Sequence, residues 1–135
     1  MLNELNIDIL LASLVSTAFS AIWFSKFGFG TSWSRAEDKS KAKKLLKKTD
    51  YIVVFVGHLL SAYIISILLG LGRISGFLNG DILDGVILGA WGWLGFSSVT
   101  HVLSAQIRKL QTDAVIIELG QQLIALIIIG AIVAY

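Results

Sequence analysis

Four apolar segments, each long enough to cross a bilayer, fill most of this 135-residue chain, and the charges lie almost entirely between them. A hydrocarbon core of about 30 Å is crossed by about 20 helical residues. The segments run from about Ile9 to Ser25, Tyr51 to Gly72, Gly85 to Ile107 and Ala114 to Tyr135. They are continuous and show no period-two alternation, so helices are expected and strands are not. A closed barrel would need many more strands than this chain supplies. The pattern predicts one all-α domain over residues 1–135, an integral-membrane four-helix bundle with a basic loop at 26–50.

Composition agrees with lipid as the main solvent. Hydrophobic residues make up 56% of the chain, charged residues 15%, and mean hydropathy is +0.80. A water-soluble chain this short has too little volume to enclose so much apolar surface. Cysteine is absent, which excludes disulfides and thiolate metal sites. Proline is absent too, so any helix break must come from glycine.

Orientation follows from the basic residues in short loops. The first loop holds Lys26, Arg35, Lys39, Lys41, Lys43, Lys44, Lys47 and Lys48, and the third holds Arg108 and Lys109. Only Arg73 lies in the second loop. The first and third loops are therefore expected in the cytoplasm and both termini outside. Residues 1–8 carry Glu4 and Asp8 but no Lys or Arg, so a cleaved signal peptide is not expected. Asp50 to Ile65 and Asp113 to Ile128 share Asp, Gly, Leu, Ala, Ile and Ile at a constant offset. That spacing raises a tandem repeat of two hairpins, although the first and third helices align poorly.

Four features bear on function. The stretch AEDKSKAKKLLKKT, Ala36 to Thr49, places Ala42, Leu45 and Leu46 on one helical face flanked by lysines. It either holds topology or lays Lys41, Lys43, Lys44, Lys47 and Lys48 on acidic lipid headgroups, at about 1 kcal/mol each. No aromatics interleave with the lysines for base stacking, so nucleic acid is not an expected partner.

The second feature is polar residues inside apolar segments. Glu118, Gln121 and Gln122 share one helix face. His58 lies at a similar depth, with Thr100 and His101 near the inner end of the third helix. Such groups are costly in lipid, so they pair or face a cavity. They form a candidate ligand site for a proton, cation or small solute, with His58 as the expected partner of Glu118. The alternative is that the same groups only bond neighbouring helices. No two histidines share a helix face, so no metal and no cofactor is implied.

Third, small residues form stripes: Ala12, Ser16 and Ser20; Gly57 and Ser61; Gly85, Gly89 and Gly92. They let helix backbones approach closely, within one chain or in a homo-oligomer. Glycines in RISGFLNGDILDG indicate turn chemistry and not a phosphate cradle. Fourth, Trp23 and Trp33 bracket the inner interface, while Trp91 and Trp93 lie deeper, in a core or along a ligand site.

The segment AIWFSKFGFGTSW, Ala21 to Trp33, resembles the domain of unknown function 1761 family of small prokaryotic membrane proteins. Trp23, Ser25, Phe29, Gly30 and Trp33 match that family's Trp-Tyr-Ser-Pro, Phe-Gly and second-Trp spacing. WGWLGF, Trp91 to Phe96, and IIIGAIVAY, Ile127 to Tyr135, are similar to it as well. Phe24 and Lys26 depart from the usual Tyr and Pro. The resemblance implies four helices in a prokaryotic inner membrane and lends no catalytic residues. Two functions are expected: an oligomeric transporter or channel-like protein, or a non-catalytic scaffold or accessory subunit. Enzyme chemistry needs a nucleophile–base pair or a metal, and no such constellation stands out.

Overall fold

A computed structural model describes residues 2–25, 27–30, 32, 48–109 and 111–135. Among these residues every regular element is helical. α1 spans Leu2–Trp23, α2 Lys48–Ile74, α3 Ile82–Gly92, α4 Ser98–Arg108 and α5 Thr112–Ala134. A π-helical turn, Trp93–Ser97, joins α3 to α4, so that they form one long span. Four helical stretches are long and apolar enough to cross a membrane: Asn6–Trp23, Thr49–Ile74, Ile82–Arg108 and Thr112–Ala134.

The helices outrun the apolar windows at most ends, because polar residues continue a helix once its ends reach the headgroups. Two C-terminal ends fall short, that of α5 by one residue, at Ala134, and that of α1. α1 stops at Trp23, two residues before the expected Ser25, because the chain turns back on itself. Phe29 N–H donates to the Trp23 carbonyl at 2.7 Å, and Gly28 N–H to the Ser25 carbonyl at 3.0 Å. A Cβ on Gly30 would stand 2.2 Å from the Phe24 carbonyl oxygen, so this turn requires glycine there. The Trp23 and Phe29 rings then pack with centroids 4.4 Å apart, tilted by 42°.

α5 is the central helix and packs against α1, α2 and α3. Its contact with α3 is the most extensive in the bundle. Small residues explain why. A Cβ on Gly85 would lie 2.0 Å from the Gly130 carbonyl oxygen, and one on Gly89 2.3 Å from that of Leu126. On the other side of α5, Ala12, Ser13, Ser16 and Ser20 of α1 are fully buried. Ser13 and Ser20 donate within the helix, to the Ile9 carbonyl at 2.6 Å and the Ser16 carbonyl at 2.9 Å, and Ser16 donates across to the Ala125 carbonyl of α5 at 3.5 Å. The expected stripes on these two helices are thus the packing faces. Gly57 and Gly92 are not, since a Cβ at either would meet nothing within 4 Å.

The outward faces are apolar. Ile22, Leu60, Leu94 and Ile116 are each more than half exposed. Such a surface is stable against lipid and not against water.

The loop between α2 and α3 is held by local polar contacts. Asp81 caps α3 by accepting from Asp84 N–H at 2.9 Å, and Asp84 accepts from Gly80 N–H at 2.6 Å. Arg73 donates to the Gly80 carbonyl at 2.6 Å. Gly80 sits at φ +82°, a left-handed conformation that favours glycine.

Candidate functional site

The third span meets α5 along a regular line. Gly85 faces Gly130 and Ala134, and Gly89 faces Leu126. Further along, the Ser97 hydroxyl donates to Gln122 Oε1, and His101 Nε2 lies 2.5 Å from Glu118 Oε2. Ser97 and His101 are four residues apart, as are Gln122 and Glu118, in antiparallel register. A straight α-helix drifts about 40° per four-residue step. The wider winding of the π turn takes back part of that drift. Ser97 and His101 therefore meet α5 on the line that the glycines begin. Gly92 precedes this turn and Gly95 lies within it.

Two tryptophans clamp α5 at the same level. Trp23 Nε1 donates to the Ile117 carbonyl at 3.1 Å, and Trp93 Nε1 to the Leu119 carbonyl at 3.0 Å. The Trp23 ring also lies against Gly120, 3.4 Å from where its Cβ would be. Trp91, in contrast, is 67% exposed and faces outward.

Glu118, Gln121 and Gln122 leave α5 toward different neighbours. Glu118 pairs with His101 of α4, and its side chain is 14% exposed. Gln121 Nε2 donates to the Ser20 hydroxyl of α1 at 2.5 Å. Gln122 accepts from Ser97 of the π turn. His58 of α2, expected opposite Glu118, has its Nδ1 3.3 Å from Thr17 Oγ1 of α1. The partner of Glu118 is therefore His101, which is brought there by the antiparallel register.

A partly open cavity of about 230 Å³ lies between α1, α2, α5 and the π turn. Its polar lining is Ser20, His58, Ser97, Gln121 and Gln122, and Glu118 and His101 are not part of it. Among the described residues no Lys, Arg, Asp or Glu lines it. The hydrogen bonds decide what it offers a ligand. The Thr17 hydroxyl donates to the Ser13 carbonyl at 2.7 Å, so its oxygen accepts from His58 Nδ1–H. A neutral imidazole then keeps Nε2 as an acceptor. Gln121 uses its amide nitrogen on Ser20 and keeps its carbonyl oxygen. Gln122 uses its oxygen on Ser97 and keeps its amide N–H groups. The site thus presents both acceptors and donors with no fixed charge.

The cavity residues that sequence reasoning passed over are Ser20 and Ser97. Ser20 was read only as part of a packing stripe, and Ser97 carried no signal of its own. Lys41, Lys43, Lys44 and Lys47 lie outside the described residues, and Lys48 opens α2. Among the described residues no group of three His, Cys, Asp or Glu side chains is placed to hold a metal ion.

The sequence profile of the family described as Protein of unknown function (DUF1761) matches residues 7–134, nearly the whole chain, and the chain belongs to that family. No curated protein and no solved structure matches it.

Proposed function

We propose that this DUF1761 protein takes a small, uncharged ligand into the membrane-embedded cavity lined by His58, Gln121 and Gln122, as a transporter or channel-like protein and not as an enzyme. One observation carries the reading. The cavity holds polar side chains with unused donors and acceptors, at a depth where polar groups are costly unless they serve a partner. A proton or cation is disfavoured as the ligand, because Glu118 is engaged by His101 and does not line the cavity. In this reading both termini face outward from the plasma membrane and the lysine-rich loop meets acidic lipid. The small-residue stripe of α1 and the glycines of α3 are used within the chain, so a homo-oligomer would pair through other, lipid-facing surfaces.

A second reading is a non-catalytic scaffold or accessory subunit. The capping of Glu118 by His101 favours it, since that pair then serves helix packing alone.

The absence of natural cysteine makes a direct test possible. Gln122→Cys is placed in the cavity and Leu60→Cys on the lipid face, and both are exposed in vesicles to methyl methanethiosulfonate, a small neutral thiol reagent. The cavity thiol should react faster, and adding Gly57→Leu, which fills the cavity, should suppress it. Equal rates at the two positions would sink the ligand-site reading. Co-purification of a partner protein at fixed stoichiometry would move the balance to the accessory role.

A further inference from the structure

The polar cavity adjoins a second, largely apolar groove of about 340 Å³. Ile64, Ile65 and Leu68 of α2 line it opposite Leu88 and Gly92 of α3, with Phe96 of the π turn. Cavity and groove share Ser97 and Leu126, so they meet at the π turn. Along α2 the cavity is lined by Val54, Gly57 and His58, and the groove starts at Ile64. Ten residues of helix, about 15 Å, separate Val54 from Ile64. The groove follows the seam between α2 and α3, which pack loosely on each other and more closely on α5. Its rim residues Ile64 and Phe96 are 54% and 78% exposed, so the seam faces the hydrocarbon of the bilayer.

We infer that the ligand is an amphiphile that enters sideways from the bilayer, its uncharged hydrogen-bonding head in the cavity and its acyl or prenyl tail in the groove. This rests on the cavity being a ligand site, as proposed above, and adds the class of ligand. Size supports it. The cavity alone falls below the range of about 300–1,000 Å³ usual for ligand pockets, and cavity and groove combined fall within it. Charge supports it too. A charged head would stand in a low-dielectric site with no opposite charge among the described lining residues, which is strongly unfavourable. A head carrying both donors and acceptors, such as a polyol or an amide, matches what His58, Gln121 and Gln122 leave unused. The tail gains little on leaving lipid for the groove, because both are apolar. Selection therefore lies in the head, and the groove only has to accept the tail.

Two glycines make the idea testable without disturbing the fold. Gly57 lines the cavity and Gly92 the groove, and a Cβ at either meets nothing within 4 Å. Leucine at these positions fills space and improves helix propensity. The probe is a monoacylglycerol with a photoreactive diazirine in its tail, crosslinked to the protein in lipid nanodiscs. The label should map to Ile64, Leu68 or Leu88. Unlabelled monoacylglycerol should compete, and the anionic phosphatidylglycerol should not. Gly57→Leu and Gly92→Leu should each lower labelling about tenfold, with elution unchanged and melting temperature not lowered. If Gly57→Leu alone abolishes labelling and Gly92→Leu has no effect, the cavity reading stands and the tail groove is overturned. If neither variant matters, or phosphatidylglycerol competes equally, the amphiphile is overturned along with the cavity as its head site.

Discussion

The close crossing of α3 and α5 predicts a sharp difference among glycines that look alike in the sequence. Gly57→Ala and Gly85→Ala make the same chemical change within apolar helices, the first in the interior of α2 and the second four residues into α3. At Gly57 the new methyl meets nothing within 4 Å. The variant should gain about 0.5–1 kcal/mol from the reduced backbone entropy of the unfolded chain. At Gly85 the methyl would stand 2.0 Å from the Gly130 carbonyl oxygen and 2.6 Å from the Ala134 Cβ. The backbone cannot rotate away, so the helices must part by about 1 Å, and such a gap forfeits roughly a quarter to a half of each facing contact. Overpacking of this kind costs about 1–3 kcal/mol, which exceeds the propensity gain. For a chain of this size 1 kcal/mol is about 3–5 °C in melting temperature. Thermal unfolding in detergent should therefore place Gly85→Ala at least about 3 °C below Gly57→Ala. Gly130→Ala should behave like Gly85→Ala, since a Cβ there meets the Gly85 carbonyl oxygen at 2.0 Å. Equal melting temperatures for Gly57→Ala and Gly85→Ala would refute the glycine crossing.

Other predictions test single contacts. A double-mutant cycle on His101→Ala and Glu118→Ala should give a coupling energy of about 0.5–3 kcal/mol; strict additivity would mean that the pair does not interact. Trp23→Phe removes the donor to the Ile117 carbonyl and should lower stability by about 1–3 kcal/mol, whereas Trp91→Phe, at an exposed ring, should stay within about 0.5 kcal/mol. Asp81→Ala removes the cap of α3 and should cost about 0.5–2 kcal/mol, read as a lower melting temperature with α-helical circular dichroism largely kept.

The four spans, their approximate limits and the lipid-facing surface were readable from the order of apolar and charged residues. That information is local, because crossing a bilayer constrains each segment separately through its length and composition. The stripes Gly85–Gly89 and Ala12–Ser16–Ser20 also announced themselves as packing faces, since four-residue spacing puts small side chains on one side of a helix. The same logic misplaced Gly57 and Gly92, which keep the spacing yet border open space. Spacing tells which residues share a face, and not what that face meets.

Partner choice was decided only in three dimensions. Similar depth pointed to His58 as the partner of Glu118 and away from His101, but depth is one coordinate and a contact needs three. The π turn at Trp93–Ser97 and the antiparallel register of the third span with α5 brought His101 onto Glu118 and Ser97 onto Gln122. α1 took Gln121 through Ser20 and His58 through Thr17. The polar layer that the sequence displays as one cluster is thereby divided into a His101–Glu118 pair and a separate cavity lined by His58, Gln121 and Gln122. The reason is geometric: α5 presents Glu118, Gln121 and Gln122 within little more than one turn, and two different neighbours, the third span and α1, reach them.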